Sequence, residues 1–387
     1  MKRILPTIVI SQFCCTSMWF ACNAIMPDII REFHLDPSFL ADLTSAVQIG
    51  FIIGTLVFAV FTISDRFPPS QVFFLCALKA GVFNLAITID GIHPQALLIA
   101  RFFTGFFLAG IYPVGMKIAS DHYQKGLGKS LGFLVGALVL GTAFPHFLKS
   151  MTMSLPWKYV AYTTSSIAAL GGLAMVTLVP NGPFRKKSQQ LQVKAFLHGF
   201  KNKNFRAAAF GYFGHMWELY AFWAFVPVLL STYKNLHPSA GFSVPLLSFF
   251  IIGIGGVSCA SGGLLSQYIA PKKIATVSLA LSCLCCICSP VFILNDSVGL
   301  LLAFLLFWGW FATADSPMFS TLVAQNAPEE SRGTSLTIVN CIGFFITIFS
   351  IQLMKLLSEH MNANYMYMVL AIGPILGLIA LLRNKHS

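Results

Sequence analysis

Charge is what this chain has least of, and acid least of all. Only 13 Asp and Glu stand against 25 Lys and Arg in 387 residues, and charged residues together make 10% of the chain. An ordinary soluble domain, about a quarter charged, is excluded. Long polar intervals are missing too: the longest runs from about Pro180 to Asn204, too short to be an appended folded domain. No phosphate-cradling Walker loop, no Gly-x-Ser-x-Gly elbow and no His-Glu-x-x-His occurs, so ATP coupling and hydrolysis lack a basis and no enzyme or cofactor is expected. After Met1-Lys2-Arg3 comes an apolar stretch too long for a signal-peptide core, with no small-residue cleavage pattern. It reads as a first spanning helix.

What is present is apolar: 56% hydrophobic residues and a mean hydropathy of +0.76, which define a polytopic membrane protein. The formal charge of +12 raises the question of nucleic acid. The positions of the basic residues answer it, because most fall in alternate loops, the pattern of a membrane protein that keeps Lys and Arg on its inner side. The outer side holds Arg31, Lys149, Lys158, Lys234 and Lys355, and Lys79 and Arg101 fall within spans. Both termini are therefore expected inside, and no nucleic-acid partner is expected.

Apolar windows of about 20 residues, enough to cross ~30 Å of hydrocarbon, number twelve. They run approximately 5–30, 39–63, 71–90, 96–118, 129–149, 157–180, 206–231, 244–265, 273–294, 298–323, 334–357 and 364–382. The basic stretch after the sixth divides the chain into an N-terminal six-helix bundle, 1–180, a cytoplasmic linker, 181–205, and a C-terminal bundle, 206–387. If the halves are repeats, motifs should recur at a near-constant offset. Met18-Trp19 matches Met216-Trp217, Pro27 matches Pro227, Ser64 and Pro69 match Ser266 and Pro271, and Pro113 matches Pro317. Gly128-Lys129-Ser130-Leu131 matches Gly333-Thr334-Ser335-Leu336, and the offset drifts only from 198 to 205.

These features resemble the major facilitator superfamily. The loop Ser64-Asp65-Arg66-Phe67-Pro68-Pro69 is similar to a degenerate form of that family's Gly-x-x-x-Asp-Arg-x-Gly-Arg-Arg loop, which implies a conformational-gating role for Asp65 and Arg66. Arg101-Phe102-Phe103-Thr104-Gly105 and Ala109-Gly110-Ile111-Tyr112-Pro113 are similar to its helix-4 pattern, and Gly132, Gly136 and Gly141 sit in helix 5 at close-packing spacing. Trp217-Glu218-Leu219-Tyr220, Ala314-Asp315-Ser316-Pro317-Met318-Phe319-Ser320 and Gly333-Thr334 are similar to bacterial members loosely grouped with nitrate, nitrite and cyanate carriers. The Asn-rich helix-5 signature of nitrate carriers proper is missing, since Phe133 to Phe147 holds no Asn. Nitrate is not expected. The resemblance implies an all-α fold of twelve transmembrane helices in two pseudo-symmetric bundles, a multi-pass place in the bacterial inner (plasma) membrane, and a monomer.

An ionised side chain at the bilayer centre costs at least ~2.5–3.5 kcal/mol, so each intramembrane charge needs a reason. Glu218 stands where the first half has Phe20, and Asp315 where it has Ile111. His215 lies three residues before Glu218 on the same helical face. In the resembling family helices 1, 4, 7 and 10 line the transport path, which implies that both acids face it and, with His215, carry proton coupling. The competing readings are a packing lock for Glu218 and His215, and an inner-end anchor for Asp315. Proline at 317 removes a backbone donor and loosens the helix beside Asp315. Arg101, whose repeat-mate is Leu305, suits fixed anion recognition or a clamp between helices. Asn23, Asn340, Trp19, Tyr112, Trp217, Tyr220 and Trp223 are further substrate-binding candidates, each with packing as the alternative; Gln48, Asn84, His146 and Lys79 are weaker. Cys283-Leu284-Cys285-Cys286-Ile287-Cys288 lacks converging His or acid ligands in sequence, so no metal site is expected.

The leading expectation is a secondary transporter that moves a small polar or anionic solute by alternating access, coupled to protons as a symporter. A proton-driven efflux antiporter for lipophilic or cationic compounds is the alternative, its 37 Phe residues making a greasy cavity. A transporter-like sensor without transport ranks below both. An intramembrane enzyme ranks last, because neither His146 nor His215 has an evident nucleophile in the sequence.

Overall fold

The structure is a computed structural model, described here for residues 3–123, 127–152, 155–185 and 193–383. Among these residues all regular structure is helical. Lys2, Lys125, Lys186, Lys187 and Lys385, which contribute to the inner-loop charge pattern, lie outside the described residues, as does the middle of the linker.

The chain divides into two compact units, Met1–Gln190 and Leu191–Ser387. In the first, span 1 is made of three pieces, α1 (Ile4–Thr16), α2 (Ala21–Ala24) and α3 (Met26–Phe33). Span 2 is α4 (Phe39–Val60), followed by a short loop helix α5 (Ile63–Arg66), and span 3 is α6 (Pro69–Ala86). Span 4 is broken into α7 (Pro94–Leu108) and α8 (Tyr112–His122); spans 5 and 6 are α9 (Leu127–Met151) and α10 (Lys158–Leu178). The second unit opens with α11 (Val193–Gly199), a helix where the sequence implied only a linker. Spans 7, 8 and 9 are α12 (Lys203–Leu236), α13 (Val244–Leu265) and α14 (Pro271–Ile293). Span 10 is broken into α15 (Val298–Ala314) and α16 (Ser316–Asn326), span 11 is α17 (Arg332–His360), and span 12 is a 3-10 turn (Met366–Ala371) running into α18 (Ile372–Leu382). Among the described residues ten helical stretches are long and apolar enough to cross a membrane; the two shorter ones, Ile4–Thr16 and Met366–Leu382, are where span 1 is interrupted and span 12 starts in a 3-10 turn.

The sequence places the twelve spans to within a few residues but misses their interruptions. The breaks in spans 4 and 10 fall at equivalent places, just before Pro113 and Pro317, because proline at the second residue of a helix gives up no hydrogen bond while it prevents the preceding helix from running through. One contact shows the repeat in three dimensions. A Cβ on Gly105 of α7 would collide with the Val47 carbonyl of α4, and one on Gly309 of α15 would collide with the Ile251 carbonyl of α13. The same close crossing of spans 2 and 4 is thus rebuilt by spans 8 and 10, each requiring glycine for backbone to touch backbone.

Candidate proton and solute site

α12 carries His215 and Glu218. Its start is capped by the Asn202 side chain, which accepts from the Asn204 and Phe205 N–H groups. Glu218 is 1% exposed. Its Oε1 accepts from Trp308 Nε1 of α15 at 2.7 Å and its Oε2 from Ser282 Oγ of α14 at 2.9 Å, and the Cys286 thiol adjoins it. The carboxylate therefore looks into the junction of spans 7, 9 and 10, held by neutral donors, with no Lys or Arg ion pair among the described residues.

His215 turns elsewhere. The sequence pairs it with Glu218, but its Nδ1 lies 2.9 Å from Asp315 Oδ1 and its Nε2 lies 2.6 Å from Ser316 Oγ. Both ring nitrogens are taken up by the break in span 10, and Tyr212 and Phe319 pack against the ring. The shared helical face therefore does not bring His215 onto Glu218, because three residues along a helix still leave two side chains free to choose different neighbours. Asp315 is itself the interruption between α15 and α16 and is 0% exposed. Its contact with His215 is close without hydrogen-bond alignment, and Oδ2 has no partner among the described residues. An acid, an imidazole and a hydroxyl thus meet at the hinge of a broken helix, with a second acid nearby on α12. The sequence shows no nucleophile beside His215, and Ser316 corrects that too: the order Ser, His, Asp is present. A hydrolase also needs donors aimed at a developing oxyanion and an open approach, whereas Asp315 and His215 are sealed and Ser316 is nearly so.

In the first unit the cation is committed. Arg101, 1% exposed, donates from Nη2 to the carbonyls of Met18 at 3.0 Å and Trp19 at 2.5 Å, and from Nη1 to Asn84 Oδ1 at 3.0 Å. Those carbonyls belong to the interruption after Thr16, where span 1 leaves the helix and the normal acceptors go unmet. Asn84 in turn donates to Thr164 Oγ1 and Ser165 Oγ of α10. Of the two roles open to Arg101, the structure displays the clamp, tying spans 1, 3, 4 and 6 together.

The remaining candidates are scattered. Asn23 Nδ2 donates to Thr44 Oγ1 at 3.0 Å, and the Trp19 ring lies 4.8 Å from Phe51. Tyr112 opens α8 just after the span-4 break and is buried. Trp217 Nε1 donates to the Val369 carbonyl, and Tyr220 packs against Trp223 and Phe344 at 5.0 and 5.1 Å. Asn340 Oδ1 accepts from the Tyr212 hydroxyl. Lys79 is exposed on α6 with its ammonium 5.3 Å from the Phe107 ring centre, as a snorkelling cation would be. Among the described residues no three His, Cys, Asp or Glu side chains converge as a metal site would.

Asp65 and Arg66 separate. Asp65 pairs with Lys117 of α8 at 2.8 Å, while Arg66 Nε donates to Thr62 Oγ1. Arg185, from the segment after span 6, donates to the Asp65 and Phe67 carbonyls. Sequence reasoning missed Ser282, Trp308, Ser316, Lys117 and Arg185. Ser316 alone carried a signal, as the residue between Asp315 and the helix-breaking Pro317.

The chain belongs to the Major Facilitator Superfamily, which matches residues 8–350 and again 208–387. Its fold is that family's twelve-helix, two-bundle architecture: the human organic anion transporter MFSD10 (TETRAN) superposes with a TM-score of 0.74 over 98% of this chain and 99% of that one, at 14% identity. An uncharacterized transporter of Schizosaccharomyces pombe, C36.02c, is 26% identical over 55% of this chain and 36% of its own length. The 4-hydroxybenzoate transporter PcaK of Acinetobacter baylyi is 29% identical over 41% of this chain and 33% of its own length. The chain thus spans about a third of the length of the curated relatives it matches. It is a multi-pass membrane protein of the Major Facilitator Superfamily; the family match goes no finer.

Proposed function

We propose that this chain is a proton-coupled secondary transporter that moves a small polar or anionic solute by alternating access, in an inner (plasma) membrane with both termini cytoplasmic, and works as a monomer. The observation that carries the coupling is the meeting of Asp315, His215 and Ser316 at the break of span 10. A proton gained or lost there changes the charge at a hinge, so the contact that holds α15 against α12 differs between the two states. Glu218 is the second titratable group, bound to spans 9 and 10 by Ser282 and Trp308. An anionic solute is supported by the partial match to a 4-hydroxybenzoate transporter.

Uptake in proteoliposomes tests the coupling. In Asp315→Asn and Glu218→Gln variants, accumulation driven by a pH gradient is lost while solute exchange without a gradient persists. Unchanged gradient-driven accumulation in both variants removes the mechanism.

One observation favours the efflux reading. Arg101 commits both Nη atoms to the interruption of span 1 and to Asn84, leaving only the buried Nε without a partner among the described residues, so its fork is not presented to an anion in this conformation. Accumulation of carboxylates and resistance to lipophilic cations, compared in cells with and without the chain, separate import of anions from export of cations.

A further inference from the structure

Gln48 lies near the middle of α4, on the helical face that carries Thr44 one turn earlier and Phe51 one turn later. Thr44 is bonded to Asn23 and Phe51 rests against Trp19, so both flanking contacts reach the interrupted part of span 1. Gln48 stands between them on that face. It is 0% exposed, and neither its oxygen nor its nitrogen has a hydrogen-bond partner among the described residues. A carboxamide brings two donors and two acceptor lone pairs. Burying one with none of them met works against the fold, and native structures rarely tolerate it without a reason. Asn23 and Asn84 are satisfied where they tie helices together, Asn23 holding Thr44 and Asn84 holding Arg101, Thr164 and Ser165. Gln12 of α1 is buried without a partner as Gln48 is, but only Gln48 stands between two side chains bonded or stacked onto the interrupted part of span 1. Gln48 ties nothing. A leucine would fill the same space at no such penalty, so stability does not account for the amide.

We propose that Gln48 is a solute-recognition residue whose carboxamide meets the oxygen atoms of a small aromatic carboxylate, with Trp19 and Phe51 providing the flat apolar surface beside it. The NH2 group donates to the carboxylate, and the carbonyl accepts from a hydroxyl when the ring bears one. The proposal rests on the transporter reading and deepens it, giving the first unit neutral polar recognition and leaving proton exchange to the second. It also removes the need for Arg101 to leave its helix, because neutral donors suffice to orient an anion.

The full chain, purified in detergent, is heated with and without benzoate, 4-hydroxybenzoate or the ringless acetate, and compared with Gln48→Leu and Gln48→Met. A ligand that prefers the native state raises the unfolding temperature. The expected result is that both benzoates stabilise the wild type and acetate does not, and that both variants melt higher than wild type when empty, with apparent Kd for the benzoates weakened at least tenfold. Variants that melt lower or fail to fold show the amide to be structural and overturn the proposal. So does a benzoate affinity within twofold of wild type, and so does a wild type that no benzoate stabilises. Asp315→Asn distinguishes this from the transporter reading: benzoate binding that survives there without gradient-driven uptake in any form of the chain refutes proton-coupled transport while leaving Gln48 in place.

Discussion

Arg101→Met tests how span 1 is held, because methionine keeps much of the length of the side chain and removes every donor. Three buried acceptors lose their partner: the Met18 and Trp19 carbonyls and Asn84 Oδ1. Each buried acceptor left unmet costs about 1–3 kcal/mol, and bonds from a charged donor sit toward the upper end. Against that stands the relief of no longer burying a guanidinium, which takes back several kcal/mol of the gross loss. The net expectation is a destabilisation of about 2–4 kcal/mol, read by thermal or denaturant unfolding in detergent. Arg101→Lys recovers only part of it, since one ammonium on a flexible stem cannot span acceptors on two helices as a planar fork does. An Asn84→Ala cycle checks the arrangement directly, with a coupling energy of about 1–2 kcal/mol expected between residues in one network. If Arg101→Met unfolds within about 1 kcal/mol of wild type, the interruption of span 1 does not depend on this clamp.

Gly105→Leu drives a side chain into the Val47 carbonyl and should cost at least about 2 kcal/mol of stability, whereas Gly333→Ala, with open space where its Cβ would go, should be near neutral in the same assay. Glu218→Leu leaves Trp308 Nε1 without its acceptor, while Ser282 Oγ can fall back on the Leu279 carbonyl, and should destabilise more than Glu218→Gln, which keeps an acceptor oxygen. Ser316 should resist a fluorophosphonate in the native protein, because it is nearly buried beside the sealed His215 and Asp315; labelling lost in Ser316→Ala would favour acyl-transfer chemistry. Lys117→Ala breaks a half-exposed pair with Asp65, so stability should change by under about 1 kcal/mol while the uptake rate falls if the loop gates transport.

The spans were legible because hydrocarbon thickness imposes a length and an apolar composition that survive in a single sequence. The repeat was legible for the same kind of reason: Pro113 with Pro317 is a backbone requirement that allows few substitutes, whereas the matching need for Gly105 and Gly309 shows only where the helices cross. What the sequence could not show is which way a side chain turns once its helix is packed. His215 and Glu218 share a face on α12, yet one reaches Asp315 and Ser316 and the other reaches Trp308 and Ser282. That choice is made by spans 9 and 10, whose neighbours are distant in sequence. Trp308 and Ser282 look like ordinary members of apolar helices until the acid they bind is in view. The interruption of span 1 was hidden as well, because its residues 17–20 contain neither Gly nor Pro to announce it.

That interruption explains an asymmetry that otherwise looks arbitrary. Arg101 occurs in span 4, while its repeat-mate in span 10 is Leu305. Span 1 leaves the helix at residues 17–20 and exposes two carbonyls, so a buried cation is needed close by. Span 7 passes through the equivalent position as unbroken α12, with Met216 and Trp217 inside the helix and their carbonyls in the usual ladder. No cation is called for there, and a leucine suffices. The same continuity lets the second unit place an acid where the first has Phe20, since a regular helix can present Glu218 to Trp308, one turn beyond Leu305, without the backbone competing for donors. The halves differ along this line: the first uses its buried charge to hold a broken helix, and the second, needing no such repair, buries two acids, Glu218 and Asp315, at and beside the break of span 10, the groups to which the proposed coupling assigns the proton. Mutational sensitivity should follow the division, with Arg101 variants failing first in stability and Glu218 and Asp315 variants failing first in coupling. A carrier in which Arg101→Met stays fully stable but loses its pH dependence would reverse the assignment.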